Sequence, residues 1–146
     1  MTLALSSEEV ATKLEPQFTG SIIESRGNSL LVKNESLLDL ASFLKTAPDL
    51  DFDYLTSITA VDYNDYFEMV YHLTSIKHNH SLVVKTRCYD RDNPVVPSVT
   101  SLWRGADFQE REIYDLMGVS FDGHPNLKRI FLWEGFQGHP LRKDYL

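Results

Sequence analysis

Only one cysteine, Cys88, occurs in the 146 residues. One thiol cannot close an internal disulfide, and by itself it cannot hold an iron–sulfur cluster. Long apolar runs are also missing. The longest is Ile130 to Trp133, against the roughly 20 residues that a membrane-spanning helix needs. The start, MTLALSSEEV, has neither the basic opening nor the apolar stretch of a secretory signal. Positive charge is scarce: 14 Lys and Arg face 21 Asp and Glu, giving a net charge of −7. That balance disfavours nucleic acid, whose phosphates need basic surface, and a polybasic membrane tether. The chain also lacks a phosphate-binding loop, a dinucleotide fingerprint, a Gly-x-Ser-x-Gly elbow and a Cys-x-x-Cys pair. Bound-cofactor chemistry therefore has little to work with. What remains is an ordinary globular composition, 42% hydrophobic and 24% charged, at the length of one domain.

The charge is uneven. Residues 1–102 carry a net −6 and residues 103–146 a net −1, and the second stretch holds five of the seven glycines and both tryptophans. We read residues 1–97 as a sheet domain, and residues 98–146 as a helical and extended interface segment of the same single domain. Ser6 is placed to cap a helix with Glu9 as its capping-box partner, and Pro16 stops it. Strands over 20–25 and 29–33 flank a turn at Arg26-Gly27-Asn28. Asn34 is expected to cap a second helix, in which Leu37, Leu40, Ala41 and Leu44 recur at helical spacing. Residues 54–61 are rich in aromatic and β-branched side chains. Phe67, Met69, Tyr71 and Leu73 alternate with Tyr66, Glu68, Val70 and His72, and Leu82, Val84, Thr86 and Cys88 with Val83, Lys85, Arg87 and Tyr89. The pattern predicts an α+β fold: a mostly antiparallel sheet of about five strands with helices on one face, followed by an irregular extended C-terminal segment. Ser98 is placed to cap a short helix through Trp103. Asp107 and Glu110 read as a capping box for a helix ending at Met117, with Gly118 at its left-handed cap.

That last helix is the densest in chemistry. Ile113, Leu116 and Met117 form an apolar stripe, and Arg111, Glu112 and Asp115 fall opposite. The arrangement fits an ionic docking surface or an acid/base site; an exposed, solvated helix face would look the same. Arg111 and Asp115 stand in the less favourable order for an i,i+4 pair, so local helix support explains them poorly. Two Gly-His-Pro triplets follow, at 123–125 and 138–140. Proline pushes each preceding histidine to an extended conformation, so each triplet is a stiff corner. A metal site would join His124 and His139 with Asp122 or Asp144, although the spacing matches no standard zinc pattern. His72, His78 and His80 are weaker candidates. Cys88 reads as a buried thiol. At the end of the chain, Trp133, Phe136, Leu141, Tyr145 and Leu146 carry too much apolar surface for a free tail, so the segment is expected to pack on something, and a neighbouring protein of an assembly fits.

The blocks Glu110-Arg111-Glu112-Ile113-Tyr114-Asp115-Leu116-Met117-Gly118, Phe121-Asp122-Gly123-His124-Pro125, Leu127-Lys128-Arg129-Ile130 and Gly138-His139-Pro140-Leu141-Arg142-Lys143-Asp144-Tyr145 resemble the C subunit of the respiratory NADH-quinone oxidoreductase, complex I. Upstream, Ile58 to Tyr63 and Tyr71-His72-Leu73 are similar to the family's sheet strands. The resemblance implies a component of the hydrophilic arm, peripheral to the membrane on its cytoplasmic side in a prokaryote. It implies no catalytic, cofactor-binding or metal-binding residue in this chain, with FMN and iron–sulfur clusters held by other subunits. Its partners would be the D, B and I subunits, with NADH and quinone reached only through the complex, whose redox energy drives proton translocation. The residues it marks as partner-facing are Glu110, Arg111, Glu112, Asp115, His124, Pro125, Arg129, His139, Pro140, Arg142, Lys143 and Asp144. Two other readings stay open. One is a free-standing metal-dependent enzyme built on His124 and His139. The other is the same type of subunit in a related membrane-bound hydrogenase-type complex.

Overall fold

The computed structural model describes residues 2–133 and 135–145. In chain order the elements are β1 (Leu3–Ala4), α1 (Ser7–Leu14), β2 (Ile22–Arg26), β3 (Ser29–Val32), a 3-10 turn (Asn34–Ser36), α2 (Leu37–Thr46), β4 (Tyr54–Asp62), β5 (Phe67–Ser75), β6 (His80–Cys88), β7 (Val95–Pro97), α3 (Ala106–Met117) and β8 (Ser120–Asp122). The main sheet runs β2-β3-β6-β5-β4, with β1 also paired to β6. The hairpins β2–β3, β4–β5 and β5–β6 are antiparallel. The pairings of β3 and β1 with β6 are parallel. The fold is α+β, as the alternation predicts.

Alternation decides which face is covered. Phe67, Met69, Tyr71 and Leu73 of β5 stand opposite Cys88, Thr86, Val84 and Leu82 of β6, and all eight are buried. Leu30 and Val32 of β3 and Leu55 and Ile58 of β4 extend this layer. Onto it pack Val10 and Leu14 of α1, Leu37, Leu40, Ala41 and Leu44 of α2, and Ile113 and Met117 of α3, in one core. Residues on the opposite face are mostly half-buried, such as Val70, Val83 and Lys85, with His72 exposed. Leu31 and Glu68 are buried there, Glu68 beneath Arg87, at 3.0 Å, and Lys85, at 3.8 Å.

Several local expectations are corrected. Ser6 sits at the N-cap of α1 but its side chain makes no capping bond. The residue at the N-cap of α2 is Ser36; Asn34 instead opens the 3-10 turn, and its side-chain N–H donates to the Val95 carbonyl at 2.8 Å. The stretch 98–103 is a single turn closed by Trp103 N–H on the Val99 carbonyl, too short to repeat a helical bond. The N-cap of α3 is Gly105, not Asp107, since Glu110 is engaged elsewhere. The pairing of β7 with β8 is parallel and was not expected. Three residues are too few to show alternation, and the partners are far apart in sequence. This pair and the shared core bind residues on both sides of position 98.

Candidate functional site

The segment after β8 has little regular structure, yet its path is held by polar contacts from the folded domain. α3 supplies most of them. Its apolar stripe faces β4, and it ends at Gly118, whose φ of 76° gives the left-handed cap and returns an N–H to the Tyr114 carbonyl. A side chain at Gly118 would meet the His139 ring at 2.7 Å, so the missing Cβ is also the seat of that imidazole.

Asp115 is fully buried, not on an exposed charged face. Its Oδ2 accepts from three successive backbone N–H groups, Ile130, Phe131 and Leu132, at 3.1, 2.8 and 3.0 Å. Its Oδ1 accepts from Arg129 Nη1 at 3.0 Å. Burial alone would raise the Asp115 pKa, but the three backbone donors and Arg129 outweigh it and hold the carboxyl below its ordinary value. Arg129 reaches onward, donating from Nη2 to the Gly138 carbonyl at 2.8 Å. His139 Nδ1 lies 2.9 Å from the Asp115 carbonyl. An oxygen acceptor requires the proton on that nitrogen. The Leu141 N–H then donates to the Leu116 carbonyl at 2.8 Å.

A second clasp forms at the end of β4. Asp62 accepts two bonds from Arg91, at 2.6 and 3.0 Å, and one from the Lys143 backbone N–H at 2.9 Å. The Arg91 guanidinium is the main reason its carboxyl titrates far below the ordinary range. Asp144 bridges Arg142, at 2.8 Å, and Arg91, at 3.1 Å. Arg142 and then Arg91 hold its pKa at about 2 despite its exposure. Both guanidiniums lie over the Phe67 ring.

Glu110 is also buried. It staples the 98–99 turn to α3, accepting from the Ser98 hydroxyl at 2.6 Å and the Val99 N–H at 2.9 Å. Burial pushes its pKa up, only partly offset by those two donors. His124 has a fully buried side chain beside Asp107, with Nε2 3.0 Å from Oδ1. Its Nδ1 accepts the Asn126 N–H at 2.9 Å, so the proton sits on Nε2. The two Gly-His-Pro corners therefore use opposite tautomers. The structure does not bring the two imidazoles together: His124 bonds near the start of α3 and His139 near its end, about 12 Å apart along the axis. Among the described residues, no three His, Cys, Asp or Glu side chains gather in a way that would hold a metal.

The remaining expected residues lie outside these clasps. Arg111 is half-buried, with its Nε 3.4 Å from the Lys128 carbonyl. Glu112 and Pro125 are exposed, Pro140 is half-buried, and Lys143 projects its side chain to solvent. Arg111 and Asp115 do not pair, because Asp115 is committed to Arg129. Asp62 and Arg91 were assigned no role from sequence; their link to the tail spans 81 residues from Asp62 to Lys143, which no local pattern reports. With the backbone so held, the apolar side chains face outward: Phe131 is 57% exposed, Trp133 68% and Leu141 61%. Phe108 and Tyr145 are exposed and Phe136 is half-buried. Leu146 lies outside the described residues.

Comparison with known proteins gives a consistent set. The family described as respiratory-chain NADH dehydrogenase, 30 Kd subunit, matches residues 30–146. The C subunit of the NADH-quinone oxidoreductase of Roseiflexus castenholzii is 40% identical over 149 residues, covering 97% of this chain and 85% of that protein. The corresponding C subunit of Moorella thermoacetica is 49% identical over 119 residues, covering 80% and 78%. Among solved structures, a chain of the membrane-bound sulfane sulfur reductase, an archaeal respiratory membrane complex, superposes with a TM-score of 0.75 at 26% identity, covering 94% of this chain and 84% of that one.

Proposed function

The chain belongs to the 30 kDa subunit family of respiratory-chain NADH dehydrogenase, which is the C subunit of NADH-quinone oxidoreductase, and on that premise we propose that it acts as a cluster-free scaffold. In this reading it packs beside the D and B subunits near the quinone module, with the I subunit also in reach of the tail. It sits peripherally on the cytoplasmic side of the membrane. Flavin and iron–sulfur clusters belong to other subunits, and electrons pass this chain by.

One observation carries the reading. Buried carboxylates hold the tail backbone rigidly while its large apolar side chains point into solvent. A fixed backbone with exposed aromatics is pre-organised for a partner, because little ordering entropy is left to lose on association. Trp, Tyr and Arg are also the residues that dominate interface energetics.

Replacing Phe131 and Trp133 together with alanine tests it. The isolated chain should keep its stability within about 0.5 kcal/mol, since neither ring is in the core. Association with co-expressed partner subunits should weaken by about 2 kcal/mol or more. Intact assembly combined with lowered turnover would overturn the scaffold reading and restore a catalytic one.

A second reading has support from the structural match. The same type of subunit in a complex with a different electron donor fits the likeness to the sulfane sulfur reductase chain. Affinity capture from native membranes, followed by mass spectrometry, separates the two by whether NADH-oxidising subunits are recovered.

A further inference from the structure

We propose that the outer edge of β4 is a second docking site, which takes an extended segment of a neighbouring subunit as an added strand. β4 is an edge strand, with β5 on one side only. Its Ile58 N–H is turned away from β5, because it donates to Gln109 Oε1 at 2.6 Å. In an antiparallel ladder the outward groups recur at every second residue. Ala60 and Asp62 therefore also aim their N–H and C=O groups outward. The hairpin end agrees: Tyr63 N–H bonds to Tyr66 C=O, which makes Asp62 and Phe67 the pair that does not exchange bonds. Among the described residues, no backbone or side-chain group pairs with the outward N–H and C=O of Ala60 or Asp62.

An unpaired edge is ordinarily blunted by charge, proline or a bulge. β4 has its bulge earlier, between Leu55 and Ser57, and the stretch 58–62 pairs with β5 in unbroken register. Beside it lie two adjoining cavities of about 260 and 330 Å³, sharing Ala60, Met117 and Leu141. Leu116 of α3 walls one and Val61 the other. This combination of free backbone groups and apolar pockets is what strand addition uses: the main chain supplies affinity, and alternate side chains supply specificity.

The charges identify the occupant. Glu112 lines the cavity at the Ile58 end and Lys143 the one at the Asp62 end. Neither side chain is in an ion pair among the described residues. The incoming strand should place a basic residue beside Glu112, an apolar one over Ala60 and an acidic one beside Lys143. Strand addition here needs a multisubunit assembly; the site borrows Leu141 and Lys143 from the tail but not Phe131 or Trp133, on which the scaffold reading is tested.

Amide hydrogen exchange tests it directly, on the full chain alone and in the assembled complex. Exchange at Ala60 and Asp62 should slow by about tenfold or more on assembly. Unchanged exchange at both overturns the proposal. Protection at 131–133 without protection at 60 and 62 removes this site and leaves the tail reading standing; the reverse pattern does the opposite. Protection of the isolated chain that grows with its concentration would make a second copy the occupant and also overturn the proposal. Ala60→Pro deletes an outward donor without breaking a β4–β5 bond, and should weaken association by about tenfold. Should that variant fail to fold, the exposed pair Glu112→Lys with Lys143→Glu carries the same expectation, and unaltered association would count against the site.

Discussion

Arg129 donates to Asp115 across 14 residues at 3.0 Å, and the same arginine donates to the Gly138 carbonyl. A fully buried carboxylate on α3 thus sets the path of two separate turns of the tail. Asp115→Ala leaves three backbone donors without an acceptor and Arg129 without its carboxylate, with only the Asp115 and Gly138 carbonyls left to it. Removing one partner of a buried pair costs about 3–5 kcal/mol. The loss should be local, so the amides of 130–132 should exchange rapidly while the sheet core stays protected. Adding Arg129→Ala should cost less than it does alone, which a double-mutant cycle measures.

Acid should open the second clasp only well below the ordinary carboxylate range. Asp62 and Asp144 both titrate below the ordinary value of 3.8, Asp144 at about 2. A depressed carboxylate contributes stability that is complete above its unfolded pKa and is lost as pH falls through the folded value. Protection of the Lys143 amide, whose acceptor is Asp62, should therefore persist well below the ordinary carboxylate range and be lost only as Asp62 protonates, whereas the Asp144 bridge to Arg142 and Arg91 should loosen near pH 2. Asp62→Asn should lower that protection at pH 7 and flatten its pH dependence, followed by exchange at that single amide.

Glu110 carries the opposite sign. Its pKa is raised from 4.5 by burial, so its contribution is complete below the unfolded pKa and is lost as pH rises through the folded one. Glu110→Gln can still accept from the Val99 N–H and donate to the Ser98 hydroxyl oxygen. Thermal unfolding at pH 7 should show this variant equal to the parent or more stable. At pH 4 the advantage should shrink.

Gly118→Ala tests the seat of the second Gly-His-Pro corner. A left-handed φ costs an L-residue about 1–2 kcal/mol, and the new Cβ would stand 2.7 Å from His139 Cδ2. The melting temperature should fall, and the His139 ring resonances should shift. Gly105→Ala is the control. Its φ is −60° and nothing lies within 4 Å of an added Cβ, so it should change little.

Period-two alternation made strands β4, β5 and β6 legible, because burying one sheet face forces that pattern on the residues themselves. The helical stripe and the glycine stop of α3 were legible for the same kind of reason. β7 and β8 were not: at three residues each, they are set by a parallel partner 25 positions away. The charged residues of α3 stand out by their density, but spacing alone could not say which way they pointed. Glu110 and Asp115 turned inward because the 98–99 turn and the tail bring backbone donors to them. Asp62 and Arg91 carried no local signal at all.

Sequence alone determined the class of this protein: an α+β domain, poor in cysteine, with an ordered series of blocks that places it in its family. Those properties reside in composition, periodicity and residue order, each readable along a line. Only the tertiary structure decided how the tail is held and what it shows. A carboxylate is stable without solvent only where several donors converge on it, and here the donors come from 14 to 81 positions away. That convergence turns an irregular segment into a fixed surface and leaves its aromatic side chains facing outward.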